Sequence, residues 1–130
     1  MLVSELSNQT VKALYKTGSY YGRVIEDLPA KQTVLVEILA VDKHPVQGDL
    51  HHPKEVDVPL FHERKALSFR EKANMPRHTV KPFDGHVPEY NESLKSSLET
   101  MKVELRSEKS EWSLHALKAL EAVEKDYPKA

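Results

Sequence analysis

Four of the seven histidines, His44, His51, His52 and His62, fall within 19 positions, interleaved with Asp49, Glu55 and Asp57 and followed by Glu63. Imidazole and carboxylate are the ligand types of zinc and of non-haem iron, so His44, His51, His52 and His62 form a candidate metal set. The spacing is unlike that of known centres. His-Glu-x-x-His is absent, and His51 and His52 are adjacent. Neighbours on a strand point to opposite faces, so these two converge only if they sit on a loop. The favoured reading is a polar loop whose histidines cap turns and face water, with no cofactor; metal binding stays as an alternative. His115 lies on a helical pattern, where an exposed histidine in a four-helix bundle can accept a phosphoryl group. This chain offers two helices and would need a second copy to supply four. The simpler expectation is a half-buried packing histidine beside Trp112.

Other catalytic signatures are missing. The sequence has no Gly-x-Ser-x-Gly elbow, no Gly-x-Gly-x-x-Gly and no Gly-x-x-x-x-Gly-Lys. Its carboxylates are plentiful, but none stands in an apolar setting that would raise its pKa. With no cysteine, disulfides, thiolate metal sites, a cysteine nucleophile and a lipidated cysteine are excluded within these 130 residues. Formal net charge is −1, so no global field recruits nucleic acid or an anionic membrane. Charge is nonetheless divided. Residues 64–81 hold six bases and one acid, and residues 84–126 hold ten acids and six bases. The two parts are complementary, or present opposite faces to partners. Tyr20 and Tyr21 near Arg23, with the basic segment, leave nucleic-acid binding as a second alternative. The acidic helical part and a sequence pI near 6.7 argue against it.

The elements that must carry these residues come in two textures, divided at Pro88. All four glycines and six of the eight prolines precede it, which implies short strands and turns. Val11, Ala13 and Tyr15 alternate with lysines at a period of two. Thr17-Gly18-Ser19 offers a turn, and Tyr20–Glu26 a second strand. Thr33–Val41 is nearly continuous in apolar residues, as a central strand covered on both faces would be. His44–Pro53 reads as a polar loop. Val56, Val58 and Leu60 alternate again, with Pro59 marking an edge; Ala66–Arg70 and His78–Lys81 are weaker strand candidates. Sequential strands joined by short turns pair antiparallel. Five of them in roughly 75 residues suit a sheet curled into a small SH3-like barrel.

After Pro88, Tyr90, Leu94, Leu98, Met101 and Leu105 form one helical stripe, and Trp112, Ala116, Leu120, Val123 and Tyr127 a second. Ser107–Ser110 separates them and can cap the second helix. Pro88 suits a first-turn position. The expected class is therefore α+β, an antiparallel SH3-like β-barrel over residues 1–86 followed by a helical hairpin over 87–130. The hairpin's remaining apolar edge lies on the barrel, on a second copy or on a partner, with Trp112 as its anchor. The N-terminal ten residues lack the features of a signal peptide, and no apolar run approaches the ~20 residues that span a bilayer. A cytoplasmic protein is expected.

Three segments also carry a resemblance. They are Val11-Lys12-Ala13-Leu14-Tyr15-Lys16-Thr17-Gly18-x-Tyr20-x-Gly22-x-Val24, Ala40-Val41-x-Lys43-His44-Pro45-x-Gln47-Gly48-Asp49-Leu50-His51, and Glu55-Val56-Asp57-Val58-Pro59-Leu60-Phe61-His62-Glu63-Arg64-Lys65-Ala66-Leu67. With Val80-Lys81-Pro82-Phe83 and Val87-Pro88-x-Tyr90-x-Glu92-Ser93-Leu94-Lys95, they resemble the kinase-associated protein B family of spore-forming bacilli over nearly the whole chain. The resemblance implies a barrel-like antiparallel sheet with a helical extension. It also implies a non-catalytic accessory of a membrane sensor histidine kinase, acting in the phosphorelay that starts sporulation. The chain would then sit at the membrane only through its kinase. No catalytic residue transfers with the resemblance. The expected partner surfaces are the hairpin, through Tyr90, Leu94 and Trp112, and the loop, through His44, Asp49, His51 and Phe61. A homodimer through the hairpin is a further expectation.

Overall fold

The computed structural model describes residues 7–48 and 63–127. Their order is β1 (Thr10–Tyr15), β2 (Gly18–Leu28), β3 (Thr33–Lys43), β4 (Lys72–Pro76), β5 (Lys81–Pro82), α1 (Tyr90–Glu108) and α2 (Glu111–Glu124). The strands form one antiparallel sheet ordered β4-β3-β2-β1-β5. The first three strands are the meander that period-two alternation implied. Val11 and Ala13 of β1, Tyr20 and Val24 of β2, and Val34, Val36 and Ile38 of β3 are buried together. Burial on β3 also includes Glu37 and Val41, so this central strand is covered beyond a single face.

The closed SH3-like barrel is not what forms. In a flat sheet, four interstrand steps would put β4 and β5 about 19 Å apart. The link between them is a short 3₁₀ turn, Arg77–Thr79, followed by the single residue Val80, which reaches only about 13 Å. The sheet must therefore roll, and Thr79 Oγ1 indeed accepts from Leu14 N of β1 at 3.1 Å. Yet no ladder joins β4 to β5 among the described residues, because β5 pairs with β1 over two residues and ends at Pro82, which has no N–H to give. The result is a rolled but open sheet. Gly22 permits the tight β2–β3 contact at a bulge: a Cβ there would run into Val36 Cγ1 and lie 2.8 Å from the Glu37 carbonyl oxygen.

The strand candidate at Val56–Leu60 falls outside the described residues. Ala66–Arg70 is irregular, and the strand of this region is β4, one step later. His78–Lys81 divides between the 3₁₀ turn and β5.

The first helical stripe forms as read, and the second forms as far as Val123, with Tyr127 lying just beyond the helix end. Leu94, Leu98 and Leu105 of α1 and Trp112, Ala116 and Leu120 of α2 join the sheet's own core cluster, so the apolar interior is continuous across residues 86 and 87. Pro88 lies one residue before the cap rather than in the first turn, and Glu89 caps α1 by accepting from Asn91 N. Lys109 turns left-handed (φ 56°) to end α1, and Ser110 and Ser113 form a reciprocal capping box at α2. Buried Lys102 ties the helices together, 2.5 Å from Glu124 and 3.7 Å from Glu99. The helical part also meets the basic segment through an exposed pair, Lys65–Asp126 at 3.2 Å.

Candidate functional site

The described residues on either side of 49–62 are bound to each other and to three tyrosines. His44 is 1% exposed. Its Nδ1 lies 3.0 Å from the Pro45 carbonyl oxygen, which can only accept, so Nδ1 carries the proton. Nε2 is then the acceptor for the Tyr127 hydroxyl at 2.7 Å, and that hydroxyl oxygen accepts from Ala66 N, also at 2.7 Å. Desolvation pushes the His44 pKa below its ordinary 6.5, against smaller upward pulls from the Pro45 carbonyl and Glu124. Burial likewise pushes Tyr127 up to about 12, which keeps its proton in place as a donor.

Two further tyrosines hold the next residue. Leu67 N donates to the Tyr20 hydroxyl at 3.2 Å, and the Tyr90 hydroxyl donates to Leu67 O at 2.6 Å. Burial raises both phenols, Tyr90 to about 12. Buried Gln47 closes the base: its Oε1 accepts from Arg64 N at 2.7 Å, and its Nε2 donates to Pro45 O and Arg64 O, each at 3.0 Å. Gly48 has φ 108°, a conformation that favours glycine, and its carbonyl accepts from Arg64 Nη2 at 3.3 Å.

Helix α1 borders two grooves. One, of about 490 Å³, runs between its Glu92, Ser96, Thr100 and Glu104 row and the end of β3 at Asp42–His44. The other, of about 510 Å³, opens at the helix start between Leu39, Phe69, Val87, Pro88 and Tyr90. Ser93 lies on the β3 side of α1 and accepts from Val41 N at 3.0 Å, replacing a strand partner on that edge.

Of the residues singled out from sequence, His44 and Tyr90 both lie in this region, the first bound to Tyr127 and the second to Leu67 O. Leu94 and Trp112 lie in the core at 5% and 8% exposure. Asp49, His51, His52, Phe61 and His62 lie outside the described residues. His115 is exposed on α2. Among the described residues no group of three or more His, Cys, Asp or Glu is arranged to hold a metal ion. Also among them, no helix is long and apolar enough to cross a membrane. Sequence reading missed Gln47, Arg64, Ser93 and the hydroxyl role of Tyr127. Gln47, Arg64 and Ser93 stand within the segments that carry the resemblance and Tyr127 on the second stripe, but neither signal announces hydrogen bonding.

Three comparisons bear on this architecture. The family described as Kinase associated protein B matches residues 15–128. The chain is 50% identical over 117 residues to the kinase-associated lipoprotein B of Bacillus subtilis (strain 168), covering 90% of each. The crystal structure of kinase-associated protein B from Bacillus cereus superposes with a TM-score of 0.77 at 35% identity, covering 98% of this chain and 97% of that one. The overall fold is therefore shared with a solved member of this group, and the chain belongs to the kinase-associated protein B family.

Proposed function

We propose that this protein is a non-catalytic accessory of a sporulation sensor histidine kinase, acting in the phosphorelay that initiates sporulation by binding protein. The observation that carries this reading is the half-identity, along nine-tenths of each chain, with a relative whose name states kinase association. The chemistry of the site agrees with it. Its buried histidine, glutamine and tyrosines are engaged with backbone groups and with each other, which suits a structural pedestal. An accessory alters a kinase only through unequal affinity for the kinase's states. A rigid pedestal with grooves along α1 is suited to such selection, because little ordering entropy is lost on docking. Leu94 and Trp112 then serve by fixing α1 and α2 in place, and Tyr90 by lining a groove. The loop residues Asp49, His51 and Phe61 are proposed as further contacts. In this reading the protein works at the cytoplasmic face of the membrane through its kinase, and residues 1–86 and 87–130 act as platform and helical arm.

The test is the affinity of the purified chain for the cytoplasmic portion of the sporulation kinase, followed by phosphoryl transfer in the same mixture. Micromolar or tighter binding with a changed rate of kinase phosphorylation is expected. No binding at a hundredfold higher concentration would reject the proposal.

A further inference from the structure

We propose that this chain carries a small-molecule site, a cationic pocket between the β1–β2 turn and residues 63–67 that binds a phosphate monoester. The site stands or falls independently of the kinase reading.

The pocket has a volume of about 310 Å³, at the low end of the range for ligand sites. That suits a phosphate group with a small organic part rather than a peptide helix. Its lining carries three cations, Lys16, Arg64 and Lys65, against one carboxylate, Glu63. Arg64 is the fixed member. Gln47 accepts from its N–H at 2.7 Å and donates to its carbonyl at 3.0 Å, so the side chain starts from a pinned backbone. The half-buried guanidinium gives Nη2 to the Gly48 carbonyl at 3.3 Å, and its Nε is buried with no hydrogen-bond partner. A carbonyl leaves the positive charge in place, and among the described residues no carboxylate pairs with Arg64. Desolvating an unpaired cation is costly. An anion in the pocket offsets that cost through its charge, without touching Nε.

The second donor lies deeper. Tyr20 is 1% exposed and lines the same pocket. Its hydroxyl oxygen accepts from Leu67 N at 3.2 Å, which leaves its own proton to be given. Burial keeps that proton in place, and it has no acceptor among the described residues. At the rim, Lys16 is exposed in a left-handed turn position (φ 54°), its ammonium 5.5 Å from the centroid of the Tyr15 ring. Lys65 reaches Asp126 at 3.2 Å, but these side chains are 57% and 60% exposed, so the pair is weak and yields to a better anion. Three cations against Glu63 and Asp126 still leave an excess of one positive charge.

Guanidinium, ammonium and phenol donors around uncompensated positive charge form a recognition set for phosphate, which brings nearly two negative charges and three strong acceptor oxygens at pH 7. A carboxylate brings one charge and two oxygens. Tyr15 and Leu67 add apolar wall for the organic part of an ester.

The experiment titrates the full chain with phenyl phosphate, inorganic phosphate and acetate at matched ionic strength, followed by backbone amide and arginine Nε–H signals in NMR spectra. Phenyl phosphate should shift Lys16, Arg64 and Lys65 with millimolar or tighter Kd, at least threefold tighter than inorganic phosphate and tenfold tighter than acetate. Arg64→Met should weaken phenyl phosphate at least tenfold. Because Arg64 also holds Gly48, the exposed turn variant Lys16→Glu is the second probe and should weaken binding at least fivefold. Lys31→Gln, at an exposed lysine far along the chain, should change it less than twofold. Glu63→Gln removes the one carboxylate of the lining and should tighten binding about threefold, a gain that a merely structural role does not give. Each variant is first checked for an unchanged melting temperature. Acetate binding as tightly as phenyl phosphate, inorganic phosphate matching the ester, or wild-type affinity in Lys16→Glu would overturn the proposal. So would shifts spread evenly over the exposed lysines of the whole chain.

Discussion

Replacing Tyr127 with Phe removes one oxygen and leaves the ring. That oxygen serves two partners from distant parts of the chain, His44 Nε2 and Ala66 N, both at 2.7 Å. Both belong to buried residues, His44 at 1% and Ala66 at 7% exposure. A buried polar group deprived of its partner costs about 1–3 kcal/mol. Tyr127 itself is half-buried, so water can reach one of the two orphans, and the net loss is that of the other, about 1–3 kcal/mol. For a chain of this length that lowers Tm by roughly 4–12 °C. The acid limb of the stability curve should change as well. Burial holds the folded His44 pKa below 6.5, so the neutral ring is the folded form. Its contribution is whole above pH 6.5 and is lost as pH falls through the lower folded value. Without the tyrosine donor the neutral ring loses its hydrogen bond, and the fall in stability between pH 7 and 5 should flatten. Urea denaturation of both proteins at several pH values reads the two effects together. A Tyr127→Phe protein within about 0.5 kcal/mol of wild type at pH 7.5, with the same acid slope, would refute the bridging role.

Three other outcomes follow from the packing. Ser93→Ala leaves the buried Val41 N–H without its acceptor and should cost about 1–3 kcal/mol, seen by urea denaturation and by faster hydrogen exchange at Val41. Gly22→Ala forces a methyl against the Glu37 carbonyl and Val36, and should destabilise by about 1–3 kcal/mol, with β2–β3 amide signals displaced most. Arg77 binds the fully buried Asp27 carboxylate in a fork at 2.9 and 2.8 Å, which holds that carboxyl below its usual range. Arg77→Met should lower Tm more than Arg23→Met, and adding Asp27→Asn should restore most of the loss. The contribution of the Asp27 pair should be whole above the ordinary carboxylate pKa and vanish as pH falls through the depressed one.

Much of the scaffold was readable from residue order because the relevant signals are local. Alternation at Val11, Ala13 and Tyr15, the apolar run at Val34–Val41 and the two helical stripes each lie within a single element. β4 was not readable. Lys72–Pro76 offers only Ala73 and Met75 to the core and ends in proline. What makes it a strand is the ladder to Thr33–Glu37, contacts nearly forty positions away. The barrel expectation failed for a related reason: alternation gives strand faces but not whether the last edge finds a partner. Composition drew the eye to histidines, and His44 is indeed central. Its partner stands 83 positions away, and nothing near Tyr127 in sequence distinguishes a hydrogen-bonding phenol from a packing ring. Trp112 and Leu94 were correctly apolar anchors, but periodicity alone does not tell an interior anchor from one offered to a partner.

Residues 66 and 67 stand where a further strand would be expected, and side chains take that strand's place. Three phenolic hydroxyls, from β2, from α1 and from just beyond α2, supply what a neighbouring backbone normally would. Backbone pairing is indifferent to residue type on the partner strand; this pairing is not. The path of 66–67 is therefore encoded at positions 20, 90 and 127, while the side chains of Ala66 and Leu67 are limited by core packing rather than by this pairing. Proline at either position would remove the N–H donor, whereas Leu67→Met should pass almost unnoticed. Substitution patterns here should place the hydrogen-bonding constraint on three remote tyrosines and leave only a packing constraint on the segment they hold.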